Sequence, residues 1–196
     1  TVSNHRPYKF PESVIKWDHG MGRIQNTARY AQWAFVDFVN RARKKPWFAD
    51  TVFIFVADHG TKVNGAAAVP GHSFRIPLLF YAPGHIKPGR IEPLGAQIDL
   101  IPTLMGLLGI SYDSPFFGVD LRRVKKGKGR IAIAHNFSIA YGRPGHIVVL
   151  EPNRTVKGYR FTPGVPGLRP ETPEPAILDE AIAQTQEAHG MFYAGA

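Results

Sequence analysis

The chain contains no cysteine, which excludes disulfides and thiolate metal ligands and leaves the compartment undecided. It also lacks any apolar run approaching the ~20 residues a membrane-spanning helix needs. Acidic residues are scarce: 15 Asp and Glu stand against 24 Lys and Arg, a formal charge of +9. That imbalance favours acidic partners such as phosphate-bearing headgroups, polyanionic polymers or nucleic acid, and charge alone does not choose among them. The rest of the composition, 44% hydrophobic and 20% charged over 196 residues, suits one globular domain, or a domain with an appendage, and a substantial core. There is no internal repeat.

The chain is organised around Thr51 to Gly60. Val52 to Val56 are large, apolar or β-branched with no polar alternation, the pattern of a strand buried on both faces in the middle of a parallel sheet. Asp58 and His59 follow where strand gives way to loop, the edge at which open α/β sheets place their chemistry. A carboxylate and an imidazole there suit a borderline divalent cation such as zinc or manganese. The same pair also fits a simple turn, with Asp58 as its cap.

Around this strand the elements read as α/β. Ile24, Ala28, Ala31, Phe35, Phe38, Val39 and Ala42 recur at three- and four-residue spacing, which predicts an amphipathic helix from about Gly22 to Lys45 packed on the sheet, stopped by Pro46. Ile76 to Ala82 reads as a second buried strand, and Asp99 as the cap of a helix through Leu108 that belongs to the scaffold. Beyond Ser114, six cations fall within nine positions, Arg122 to Arg130, a solvated loop or a contact for anionic headgroups or polymer. Arg130 to Asn136 and His146 to Pro152 read as strands of a small antiparallel sheet, with Tyr159 to Phe161 a candidate third. A Pro-rich link leads to a final helix from about Ala176 to His189.

The segment FIFVADHG resembles the second metal motif of the sulfatase and alkaline phosphatase superfamily, in which the adjacent Asp and His bind the catalytic metal. SNHRPYKFPE, Ser3 to Glu12, resembles a segment of the membrane-anchored phosphoglycerol transferases, the lipoteichoic acid synthase group. The KKPWFADT, HSFRIPLLFYAPG and QIDLIPTLMGLLGI runs follow in family order.

This resemblance implies an alkaline-phosphatase-like layered α/β sandwich, present in part over residues 1–115, followed by a small α+β subdomain over 116–196. It implies a metal-dependent phosphoglycerol transferase on the extracytoplasmic face of a bacterial membrane. Asp58 and His59 would be metal ligands for manganese or zinc, with magnesium or calcium as alternatives. His5 and Arg6 would face the substrate phosphate, with His72 a further catalytic histidine. Related phosphoethanolamine transferases carry an acidic residue where Thr61 stands; Lys62 beside it would meet a phosphate instead. The expected partners are an anionic phospholipid headgroup or a phosphate or sulfate ester, an upstream half of the same catalytic domain carrying a Thr nucleophile, and the membrane through an upstream anchor. Nucleic acid is not expected. A sulfatase or phosphodiesterase would share the Asp-His pair, and a non-catalytic anion-binding module remains a further class.

Overall fold

A computed structural model describes residues 2–60, 69, 74–115, 117–162 and 167–195. The chain divides into two compact units, Thr1–Phe53 with Phe80–His85, and Ile54–Leu79 with Ile86–Ala196.

The first unit is built on helix α1, Arg23–Ala42. Its start is fixed by Asn26, a buried side chain whose carbonyl accepts the Asp18 N–H at 2.8 Å while its amide donates to the Asp18 carbonyl at 2.8 Å. Pairing every polar atom of that amide is what makes its burial tolerable. A column of stacked rings runs through Trp17, Phe10, Tyr30 and Trp33. Past the helix, Pro46–Asp50 forms a short 3-10 turn, and Phe38, Trp47, Phe48 and Tyr81 surround the ring of Phe53. The expected helix is therefore present, ending three residues early. Its apolar stripe is only partly buried: Ala31 and Ala42 are inside, along with the polar Asn26 and Thr27, while Ile24, Phe35 and Phe38 are about half exposed.

Strand β1, Phe53–Val56, pairs with β2, Leu78–Tyr81, as a two-stranded sheet. A strand buried on both faces, in the middle of a parallel sheet, was expected. Among the described residues β1 has one neighbour, and of its residues only Phe53 is buried, while Val56 and, on β2, Leu79 are exposed.

The second unit holds the larger core. Helix α2, Leu100–Leu107, follows a 3-10 turn at Gln97–Asp99. Asp99 sits at the expected cap position, but its carboxylate does not cap α2. It has no exposed surface and accepts from Ala96 N–H (2.9 Å), Val119 N–H (2.8 Å) and Arg130 Nη1 (3.1 Å). Next come β3 (Ile131–His135), β4 (Ser138–Arg143), β5 (His146–Glu151), β6 (Thr155–Arg160) and β7 (Arg169–Glu171), every neighbouring pair antiparallel. The antiparallel sheet was expected, but with two or three strands rather than five. Helix α3, Pro175–Ala194, lays Ile177 and Ala181 on Tyr141 and Val148 of one face, while Ala140, Ile147 and Val149 form the opposite core with Val69. Arg143 forks onto the Glu180 carboxylate of α3 at 2.7 and 2.9 Å, and its remaining nitrogen donates to the Gly129 carbonyl.

Candidate active site

Ala57 follows β1, and its backbone N–H donating to the Pro77 carbonyl at 3.4 Å carries the pairing one residue beyond the strands. Asp58 and His59 then leave the sheet edge together. The His59 N–H donates to Asp58 Oδ1 at 2.9 Å, a local side-chain-to-backbone contact that fixes the carboxylate beside the ring. That N–H holds the Asp58 carboxyl below the usual carboxylate range.

His59 Nδ1 lies 2.8 Å from the Gly60 carbonyl, an acceptor only, so Nδ1 carries the proton and Nε2 presents its lone pair in the neutral ring. Nε2 is 3.6 Å from Asp58 Oδ2, and both side chains are open, Asp58 80% and His59 55% exposed. Two donors held ~2.0–2.2 Å from one tetrahedral ion would lie roughly 3.4 Å apart. A ring nitrogen tied to a carbonyl, with the other nitrogen free beside a carboxylate, is also the support that a metal-bound histidine uses. The donor set thus fits a divalent cation. It supplies two ligands; among the described residues no third His or acidic side chain completes a cluster.

Sequence reasoning missed Gln97. Its amide donates to the Ala57 carbonyl at 2.8 Å and the Asp58 carbonyl at 3.3 Å, tying the pair to the turn before α2. Nothing local to the QIDL run signals this contact across about forty residues; only the fold brings it there.

His5 and Arg6 belong to the first unit. A short 3-10 turn, Val2–Asn4, leads into them, the His5 carbonyl accepts the Tyr8 N–H at 2.7 Å, and both side chains are exposed. His72 and Lys62 lie outside the described residues. Asp99, placed in the scaffold from sequence, is there in the structure as well.

The sulfatase family model matches residues 1–110. The lipoteichoic acid synthase-like protein YvgJ of Bacillus subtilis is 27% identical over 144 residues, covering 62% of this chain and 23% of the relative. Arylsulfatase A of Bos taurus is 33% identical over 95 residues, covering 41% of this chain and 19% of the relative. A solved structure from the alkaline phosphatase superfamily of Vibrio parahaemolyticus superposes with a TM-score of 0.83 at 30% identity, over 98% of this chain and 46% of that one. The architecture is accordingly the α/β fold of that superfamily, and the chain spans less than half the length of each of these relatives.

Proposed function

This chain belongs to the sulfatase family, and on that premise we propose that it forms part of a metal-dependent phosphoglycerol transferase working on a phospholipid headgroup at the extracytoplasmic face of a bacterial membrane. The observation that carries the site is the pairing of Asp58 Oδ2 with His59 Nε2 at a spacing two ligands of one ion require. Asp58 supplies an ionised carboxylate, kept so by the His59 N–H. His59 supplies a neutral nitrogen, its tautomer set by the Gly60 carbonyl. Gln97 holds the backbone beneath both. Manganese or zinc held there, with magnesium or calcium as alternatives, would polarise a phosphoryl oxygen and favour the ionised form of an attacking hydroxyl.

His5 and Arg6 are proposed to neutralise the transferred phosphate, Arg6 through its planar fork. His72 and Lys62 are proposed as further phosphate contacts. The attacking Thr and the remaining ligand would come from a preceding half of the same catalytic domain, which is the proposed protein partner, and a membrane anchor would precede that half.

A second reading, hydrolysis of a sulfate or phosphate ester, is favoured by the match to arylsulfatase A. One experiment separates them. Protein carrying both halves should lose bound manganese or zinc, and turnover, on Asp58→Asn or His59→Ala. Wild-type metal content in both variants would end the site assignment. Headgroup transfer from fluorescent phosphatidylglycerol supports the transferase, whereas cleavage of nitrophenyl sulfate without transfer supports the hydrolase.

A further inference from the structure

The Gln97 amide donates to two consecutive carbonyls, Ala57 at 2.8 Å and Asp58 at 3.3 Å. Both partners are acceptors only, so the side chain has to present its NH2 group to them, one hydrogen for each. Those carbonyls belong to the two peptide units that flank the Asp58 Cα. Each unit is planar, so holding both sets the direction in which the Asp58 side chain leaves the backbone.

The second unit does more. Its carbonyl is that of Asp58 and its N–H is that of His59, the same N–H that donates to Asp58 Oδ1 at 2.9 Å. One peptide plane thus accepts from Gln97 at its oxygen and donates to the carboxylate at its nitrogen. Hydrogen bonds in such a series polarise one another, so the first strengthens the second. The sheet gives this plane little other support: pairing with β2 has thinned to the 3.4 Å contact from Ala57 to Pro77, and the Asp58 and His59 side chains stand in solvent.

Gln97 is itself exposed, yet its backbone is clamped. It opens the 3-10 turn Gln97–Asp99, and the buried Asp99 carboxylate closes that turn by accepting the Ala96 N–H at 2.9 Å. From the other side Gly118 lies so close that a Cβ on it would be 1.9 Å from the Ile98 oxygen. Arg130, just before β3, braces Asp99 at 3.1 Å. All of these residues belong to the second compact unit, as do Asp58 and His59.

We propose that Gln97 is a positioning residue for the metal ligands: carried on the turn that Asp99 locks, it fixes the peptide plane between Asp58 and His59 and so holds the carboxylate beside His59 Nε2. The role rests on the reading of Asp58 and His59 as metal ligands. Gln97 touches no ion; it lowers the cost of ordering the two ligands before the ion arrives. Groups that orient a ligand from behind are worth about 10–100-fold in metal affinity, and an exposed side chain belongs at the low end of that range.

The test uses protein carrying both halves. Calorimetry measures manganese affinity, and NMR of metal-free protein labelled at histidine nitrogen measures exchange of the His59 amide hydrogen. Gln97→Met keeps the side-chain length and removes both donors. It should weaken manganese binding about tenfold and speed His59 exchange several-fold. The melting temperature of the metal-free protein should stay within about 2 °C, as for other exposed substitutions. Gln97→Glu keeps the shape and adds a negative charge, which would tighten binding if Gln97 acted on the ion through its dipole. A carboxylate has nothing to donate to the two carbonyls, so this variant should instead bind manganese at least as weakly as Gln97→Met. Weaker binding in both variants at an unchanged melting temperature supports the proposal. Wild-type affinity in both, tighter binding in Gln97→Glu, or a melting temperature that falls in step with affinity overturns it. Asp58→Asn separates the two kinds of failure. Wild-type manganese in that variant ends the metal reading itself, whereas lost manganese there, beside unchanged affinity and exchange in Gln97→Met, ends only the role given to Gln97.

Discussion

Asp99→Ala offers the sharpest test of how the second unit is held together. The carboxylate has no exposed surface and three donors converge on it, from the turn before α2, from the 117–119 segment and from the residue preceding β3. Removing it strands two backbone N–H groups and leaves Arg130, 11% exposed, with the Phe117 carbonyl but no counter-charge. Breaking a buried pair from one side costs about 3–5 kcal/mol, and each orphaned N–H about 1–3 kcal/mol. These losses belong to one network and do not add, so the expected destabilisation is about 4 kcal/mol. For a chain of this size that lowers the melting temperature by roughly 8–16 °C.

Asp99→Asn keeps one acceptor oxygen and should lose about half as much. Asp99→Leu combined with Arg130→Met should recover part of the loss, because an apolar pair leaves no buried charge unmatched. Urea unfolding of the four proteins at pH 7, extrapolated to zero denaturant, measures all three differences. A loss below about 1 kcal/mol for Asp99→Ala would refute the reasoning, since it would mean that water or another group already satisfies what the carboxylate is taken to hold.

Two further outcomes follow from the geometry. The Arg143 fork holds the Glu180 carboxyl below the usual range, so this pair stabilises the fold above the unfolded glutamate pKa and is lost as pH falls through the folded value. Both side chains are more than a third exposed, so Glu180→Gln should cost only about 0.5 kcal/mol at pH 7 once screening is discounted, and less at acid pH or in high salt; a pH-independent loss in urea titrations would contradict this. His5→Ala, in protein carrying both halves, should lower transfer from a phosphoglycerol lipid while metal content and melting temperature stay near wild type, and a parallel fall in melting temperature would make His5 a structural residue instead.

How far the sequence was readable depended on whether the signal was local. The period of α1 predicted a helix, because spacing alone marks an apolar face; it did not predict which residues on it are buried. Asn26 and Thr27 are inside because their side chains find backbone partners, Asn26 at Asp18 and Thr27 at the Ile24 carbonyl. β4 went unread because SIAYGR carries a glycine, yet Gly142 is closely packed, a Cβ there lying 2.9 Å from the His146 carbonyl. β7 went unread because a proline in its centre argues against a strand. The Asp58-His59-Gly60 triplet was legible only through its setting. The same three residue types recur at Asp18-His19-Gly20, where one carboxylate oxygen accepts the Gly20 N–H at 2.9 Å and the other faces Arg29 at 3.6 Å. What separates the two triplets is the strand in front of the second, and the contact from Gln97 that supports it could be found only in three dimensions.

The shortness of β7 bears on what the five-stranded sheet can do in a crowded compartment. An outermost strand normally offers a row of free amide and carbonyl groups, a template on which a foreign chain can add itself. Here that template is three residues long, its middle residue is Pro170, which has no N–H to give, and it is flanked by Arg169 and Glu171, with Glu171 already engaged by His146 and Arg160. An incoming strand would find too few hydrogen bonds to repay its ordering and two charges to displace. The residue that hid this strand from sequence reading is thus also the one that stops the sheet from growing past this edge into the next molecule.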